Sequence, residues 1–297
     1  MTAPPRSPLS QPPGTPPGAP GGTPPGTPPA WPRLHPLTRG DDGGDVVVLV
    51  HGMEDEWRGW TALAGLLDPG WRLYAAEMPW KAGSDHAWRR YGTPGGWLRA
   101  ALASLDAPAD LLIGHSLGAN AVLEALTGGP SPAAARAVLV TPFYCPPELE
   151  ISWPVFERAL RDFEQIIREG LELRLGRRLG RIDPDVAESM LAKMIDRIGP
   201  VGFTVLFDQF LATAELDLAA VTVPSLVIAG GLDPALDGGR AAALGRRLPY
   251  GEIAVEPDFG HFCQVNQAEA VAAHVRSFAE RVRVPAPPGV PTREENR

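Results

Sequence analysis

In the segment LLIGHSLGANAVLEAL (111–126), Ser116 stands between Gly114 and Gly118 where an apolar run gives way to a helix-like pattern. Leu111 to Ile113 read as the end of a buried strand and Ala119 to Leu126 as a helix, so the serine occupies a tight strand-to-helix joint. Such a turn lifts the intervening side chain above the carboxyl edge of a sheet, and the flanking glycines leave room where backbone is crowded. The hydroxyl is therefore expected to be exposed. The helix behind it would offer backbone N–H groups and a positive dipole end to a developing anion, which is a nucleophile's position. A serine hydroxyl is a poor nucleophile at neutral pH, and needs a base to take its proton and an acid to orient that base.

The pentad GHSLG matches the Gly-x-Ser-x-Gly nucleophile elbow, and on it the chain resembles the α/β-hydrolase family over roughly residues 41–282. The resemblance implies that an acid and then a histidine follow the serine along the chain. PSLVIAGGLDPALD places Asp233 just beyond a strand end in a Gly-Leu-Asp-Pro turn, similar to the family's acid loop. VEPDFGHFCQVNQAEAVAAHVRSFAE places His261 in a Gly-His-Phe turn before a helix, similar to the family's histidine loop. Asp237 and Asp258 are rival acids, less favoured because Asp233 lies nearer its strand end and Asp258 shares the histidine's own loop. His115 is expected to point away from the serine, with a supporting role at most, and His35, His86 and His274 have none. The strand VVVLV ends in His51-Gly52, and the resemblance implies an oxyanion hole made of the backbone N–H groups of Met53 and Leu117. GMEDEW lacks the extra glycines of the Gly-Gly-Gly lipase type, so a bulky tertiary-alcohol ester is not indicated.

The chain also departs from the family. Many relatives carry Asp-x-Pro-Gly-x-Gly-x-Ser after their second strand, where this sequence reads EMPWKAGSD (77–85). Trp80 and Lys81 are thus candidate substrate contacts, the indole narrowing the pocket or stacking on a flat substrate and the ammonium pairing with an anion. Equally, Trp80 covers the core edge and Lys81 stands in water. Residues 150–217 hold no convincing strand but three helical stretches, bounded at Asp183-Pro184 and Gly199-Pro200. They sit where relatives carry a cap, and Trp153, Phe156, Phe203 and Phe207 are candidate substrate contacts there. Phe203, Phe207 and Phe210 share one helix face, which packs on the sheet domain or touches substrate; either way the pocket beneath is expected to be apolar.

To position these residues the chain must build a parallel sheet. VVVLV (46–50), RLYAAEM (72–78), DLLIGH (110–115), RAVLVTP (136–142), SLVIAG (225–230) and GEIAVEP (251–257) read as strands separated mostly by helices. Their Val, Ile and Leu content without polar alternation suits a doubly wound, mostly parallel α/β sheet covered on both faces. The expected organisation is a core of residues 37–145 and 218–282, a helical cap at 146–217, a disordered Pro/Gly-rich tail at 1–36 and a flexible tail at 283–297.

The net charge of −8 leaves no basic excess to offset phosphates, so nucleic acid is not an expected partner. No apolar run approaches a bilayer span and no secretory core precedes the first strand, so a cytoplasmic protein without a membrane partner is expected. Cys145 and Cys263 form no metal-ligand spacing and read as reduced and buried. No Gly-x-Gly-x-x-Gly turn follows VVVLV, no Lys-bearing phosphate loop occurs, and no cofactor is inferred. Epoxide and haloalkane hydrolases are set aside because their nucleophile is a carboxylate. The resemblance implies a serine hydrolase acting on an ester or thioester of a largely apolar acyl substrate, free or carrier-bound, including thioesterases and acyl-transfer enzymes of secondary metabolism. A cofactor-free lyase or perhydrolase, and a non-catalytic small-molecule-binding member, are the alternatives on the same fold.

Overall fold

The computed structural model describes residues 32–129 and 132–282. Its sheet has seven strands: β1 (Arg33–Pro36), β2 (Val46–Val50), β3 (Arg72–Glu77), β4 (Ala109–His115), β5 (Ala134–Val140), β6 (Ser225–Gly230) and β7 (Gly251–Glu256). Their spatial order is β1-β3-β2-β4-β5-β6-β7. All neighbours are parallel except β1, which runs antiparallel to β3. This is the doubly wound, mostly parallel architecture expected of an α/β hydrolase.

The helices are α1 (Thr61–Ala64), α2 (Pro94–Leu102), α3 (Leu117–Thr127), α4 (Trp153–Leu175), α5 (Pro184–Ala212), α6 (Gly238–Arg247), α7 (Cys263–Asn266) and α8 (Ala268–Arg281). Strand side chains alternate between two apolar layers, as the two-residue period of a pleated strand requires. Val48, Val50, Leu112 and Leu139 join Leu98, Val122 and Leu244 on one face. Val47, Leu49, Leu111 and Val138 join Leu63, Val271, Val275 and Phe278 on the other. The run VVVLV is apolar at every position because each face is covered.

The expected tail at 1–36 lies outside the described residues as far as 31, as does all of 283–297. Its last four residues need correcting: Arg33–Pro36 are β1, with Arg33 opposite Glu77 and Pro36 opposite Tyr74. An edge strand needs only a backbone partner on one side, so it leaves no apolar run to read, and a proline is tolerated there. His35 adds anchors, sharing a 2.8 Å hydrogen bond with Glu77 Oε2 and stacking on Trp57 at 4.2 Å.

Between β5 and β6 stand the two long helices α4 and α5. Asp183 caps α5 by accepting from the Asp185 N–H at 2.9 Å, with Pro184 at its first turn. The two helices expected on either side of Gly199-Pro200 abut there: Gly199 takes a φ of 61°, and Pro200 cannot donate to the helix ladder. One stripe of α4, comprising Phe163, Ile166, Ile167 and Leu171, is buried.

Candidate active site

The chain reverses its direction of travel across the sheet between β2 and β4, and such a switch point leaves a crevice at the carboxyl ends of the strands. His51-Gly52 leaves β2 at this edge and Ser116 leaves β4. Ser116 has φ 55° and ψ −125°, a conformation a side chain adopts only when the surroundings impose it. The imposition comes from packing. A Cβ on Gly118 would collide with the Val50 and His51 carbonyl oxygens, and one on Gly114 would lie 2.5 Å from Gly118 O. Only glycines at these two positions let α3 seat its first turn directly on the strand ends.

Three side chains meet in series. His261 Nε2 lies 3.0 Å from Ser116 Oγ, and His261 Nδ1 lies 3.0 Å from Asp233 Oδ1. With Nδ1–H donating to the aspartate, Nε2 is the acceptor for the serine hydroxyl. Asp233 Oδ1 also accepts from the Ala235 N–H at 2.8 Å, which fixes the carboxylate. Of the rival carboxylates, Asp237 instead caps α6, accepting from Arg240 N–H and Nε at 2.9 Å, and Asp258 is exposed.

The expectation of an exposed hydroxyl is corrected. Ser116 is 5% exposed and His261 1%, because α4 and α5 roof the sheet edge, a contact that the local turn geometry of the serine could not reveal. His115 does not turn away from the site either: its Nε2–H donates to the His261 carbonyl at 2.9 Å, and its ring lies 5.1 Å from that of His261. Thr141 Oγ1 donates to the same carbonyl at 3.1 Å, so two side chains clamp the histidine's backbone. Burial holds the His115 imidazole well below its ordinary range, reinforced by the neighbouring His261, and burial likewise lowers His51.

Leu117 is the first residue of α3, so its N–H has no acceptor within the helix. Met53 lines the cavity beside Ser116. Its loop is pressed against the elbow, since a Cβ on Gly52 would lie 3.1 Å from both Ser116 Cβ and His115 Nδ1. His51 braces the loop: Met78 N–H donates to its Nε2 at 3.1 Å, and its Nδ1–H donates to Gly52 O at 2.7 Å.

Two cavities lie beneath the long helices, one of them at the serine and histidine. The first, about 270 Å³, contains Ser116 and His261 and is walled by Met53, Glu54, Asp55, Ile167, Arg174 and Phe262 among others. The second, about 300 Å³, is lined mostly by apolar groups, including Phe143, Leu149, Phe163, Phe203, Phe207 and Phe210, with Asp162, Asp237 and Arg240 at its margin. Ile166 of α4 and Leu206 of α5 belong to both linings, so they form the wall between the two spaces. Phe143 connects the apolar space to the chemistry, stacking 6.1 Å from the His261 ring.

Other candidates fall elsewhere. Trp80 is fully buried, its indole N–H donating to His51 O at 2.9 Å and its ring 5.4 Å from Trp88; it lines neither cavity and packs the core edge. Lys81 pairs with Glu77 and faces a separate groove of about 420 Å³ beside His35 and Trp57. Trp153 is 76% exposed and meets edge-on Phe156, whose own ring packs against Phe203 and Phe207. Cys145 and Cys263 are free and buried, and burial pushes the Cys263 thiol up to about 12. Among the described residues no cluster of three or more His, Cys, Asp and Glu could hold a metal ion, and no helix is long and apolar enough to cross a membrane.

The contacts around Glu54 carry no sequence signal, because Arg174 and Arg197 reach it from 120 and 143 residues away. The Ile166–Leu206 wall likewise looks in the sequence like ordinary helix core.

The structure resembles a bacterial membrane phospholipase A described as a virulence factor (TM-score 0.61, 16% identity, 84% of this chain and 86% of that one). It also resembles the meta-cleavage product hydrolase of Pseudomonas fluorescens IP01 (TM-score 0.60, 17% identity, 84% and 94%). A thermophilic esterase from Thermogutta terrifontis matches at TM-score 0.54 and 21% identity, over 84% and 94%. At these identities the likeness establishes a shared fold. No protein of curated function matches the sequence. The model of the alpha/beta hydrolase family matches residues 47–274, which takes in the elbow, the acid turn and the histidine turn, and the chain belongs to that family.

Proposed function

We propose that the protein is a serine hydrolase acting on an ester or thioester of a largely apolar acyl group. The observation that carries this reading is the buried series Ser116 Oγ, His261 Nε2 and Nδ1, and Asp233 Oδ1, joined by two 3.0 Å hydrogen bonds beside an apolar cavity. The hydrolase membership of the family supports it.

In this reading Ser116 Oγ attacks the substrate carbonyl carbon while its proton passes to His261 Nε2. Asp233 keeps the imidazole in the tautomer that can accept that proton and stabilises the imidazolium that forms. The carbonyl oxygen becomes an oxyanion held by the Met53 and Leu117 N–H groups, each worth about 3 kcal/mol in the transition state. Collapse breaks the bond to the leaving alcohol or thiol, which takes the proton from His261. Water then gives a proton to His261 and attacks the acyl-enzyme; collapse releases the acid and returns the proton to Ser116. The acyl chain starts in the serine's own cavity against Ile166 and Leu206, and a longer chain displaces these two side chains to enter the phenylalanine-lined space, where Phe203 and Phe207 are its contacts. Trp80, Lys81 and Trp153 play no part in it. A carrier-bound thioester would deliver the same acyl group.

The test is a panel of p-nitrophenyl esters of graded chain length beside acyl thioesters, run on the wild type and on Ser116→Ala. Chain-length-dependent hydrolysis that disappears with Ser116 is expected. Flat, Ser116-independent rates would contradict the reading.

A further inference from the structure

The residue after Met53 is held in an unusual way. Glu54 has a left-handed φ of 56° although it carries a side chain, and it is only 4% exposed. Neither the conformation nor the burial of a carboxylate persists without partners that impose them. Those partners come from three directions. From the 77–85 loop, Trp80 O accepts from the Glu54 N–H at 3.0 Å, and the Gly83 N–H donates to Glu54 Oε2 at 3.1 Å. From α5, Arg197 Nη2 lies 2.5 Å from the same oxygen. From the last turn of α4, Arg174 donates to the Glu54 carbonyl oxygen. Each of the two long helices over the site thus spends one arginine on a single residue of the sheet edge. The net stability such a pair adds is small, because the cost of burying the carboxylate offsets the attraction.

We propose that Glu54 is a positioning residue for the oxyanion donor, and that Arg174 and Arg197 form a latch through which the helices hold it. The idea rests on the reading of the Met53 N–H as that donor. Gly52 is pressed against the elbow on one side of Met53, and Glu54 is pinned at its N–H, carboxylate and carbonyl on the other, so the intervening peptide has no freedom to turn. Docked helices therefore complete the oxyanion hole, and undocked ones release Glu54 from its left-handed conformation and the donor from its aim. Substrate entry and catalytic competence become coupled through one residue. A donor that acts on the oxyanion but not on the ground-state carbonyl affects kcat and leaves KM alone.

The test uses the full chain, with Ser116-dependent hydrolysis of a short-chain p-nitrophenyl ester first established for the wild type. In the Arg174→Gln/Arg197→Gln double variant kcat falls about tenfold or more while KM stays within about twofold. Arg197→Lys, which keeps the charge, recovers most of the kcat that Arg197→Gln loses. Should the double variant fail to fold, Arg197→Gln carries the same kcat and KM measurement, since that side chain is 41% exposed. An unchanged kcat overturns the latch. So does a raised KM at constant kcat, which would make Arg174 a substrate ligand. Absence of Ser116-dependent hydrolysis in the wild type would instead strike the hydrolase reading beneath it.

Discussion

Helix α3 and helix α4 both border the serine, yet they are built differently. Nine of the eleven residues of α3 are buried, whereas four of the 23 in α4 are. The first is seated on the strand ends and directly follows Ser116 with its strained backbone. The second lies across the site with one apolar stripe down, tied by Arg174 at its end. The bonds among Ser116, His261 and Asp233 are made wholly within the sheet layer, and the apolar lining comes largely from the helices above. A rigid layer holds reacting atoms to within tenths of an ångström, while a lightly anchored layer can change its lining without disturbing them. The division predicts that substitutions in the lower layer stop turnover and those in the upper layer redirect it.

The largest effect belongs to the lower layer. Asp233→Asn keeps the shape but stabilises the wrong imidazole tautomer, and kcat measured on the preferred ester should fall about 10⁴-fold. A fall of less than tenfold would move the acid role elsewhere and blur the contrast. Stability should divide the same way. Phe278→Ala empties a fully buried site under the sheet and costs about 3–5 kcal/mol by denaturant unfolding. Ile166→Ala, which removes atoms from a wall already flanked by two cavities, costs less, and joins the spaces so that preference shifts to longer acyl chains. A chain-length profile unchanged in Ile166→Ala would show that the wall does not limit the substrate.

The smallest effect concerns pH, and it too separates the layers. All six histidines lie outside residues 146–217. Burial lowers His51 and His115 from 6.5, so both are neutral in the folded protein while the unfolded chain takes up protons on them. Stability from this source is complete above about pH 6.5 and is lost as pH falls toward the lower folded values, by up to about 1.4 kcal/mol per pH unit per histidine. The melting temperature should drop between about pH 7.5 and about pH 5.5, with a shallower slope in His115→Gln. An equal slope in that variant would remove His115 from the explanation.

Much of the lower layer was legible because local rules govern it. Apolar runs marked six strands, although the edge strand β7 is not covered on both faces as expected, its Ile253 and Val255 being exposed, and the small residues about Ser116 marked the elbow. Strand β1 was not legible, since Arg-Leu-His-Pro has no apolar pattern and owes its conformation to the backbone of β3. The sequence leaves Trp80 equally a substrate contact or a cover of the core edge, because nothing in it says whether an indole at a strand end turns toward a cavity or, as here, donates inward to His51 O. The upper layer was legible as helices but not as a lining. Which side of α4 meets which cavity, and that Arg174 and Arg197 converge on Glu54, depends on how the helices cross the sheet edge.

The proposed chemistry stands or falls with Ser116 as the nucleophile that His261 activates. Incubating the wild-type protein with a fluorophosphonate and digesting it for mass spectrometry should give one adduct, on the peptide containing Ser116, and His261→Ala should form it far more slowly. A folded wild-type protein that stays unmodified, or an adduct on another residue with Ser116 free, would rule Ser116 out as the nucleophile.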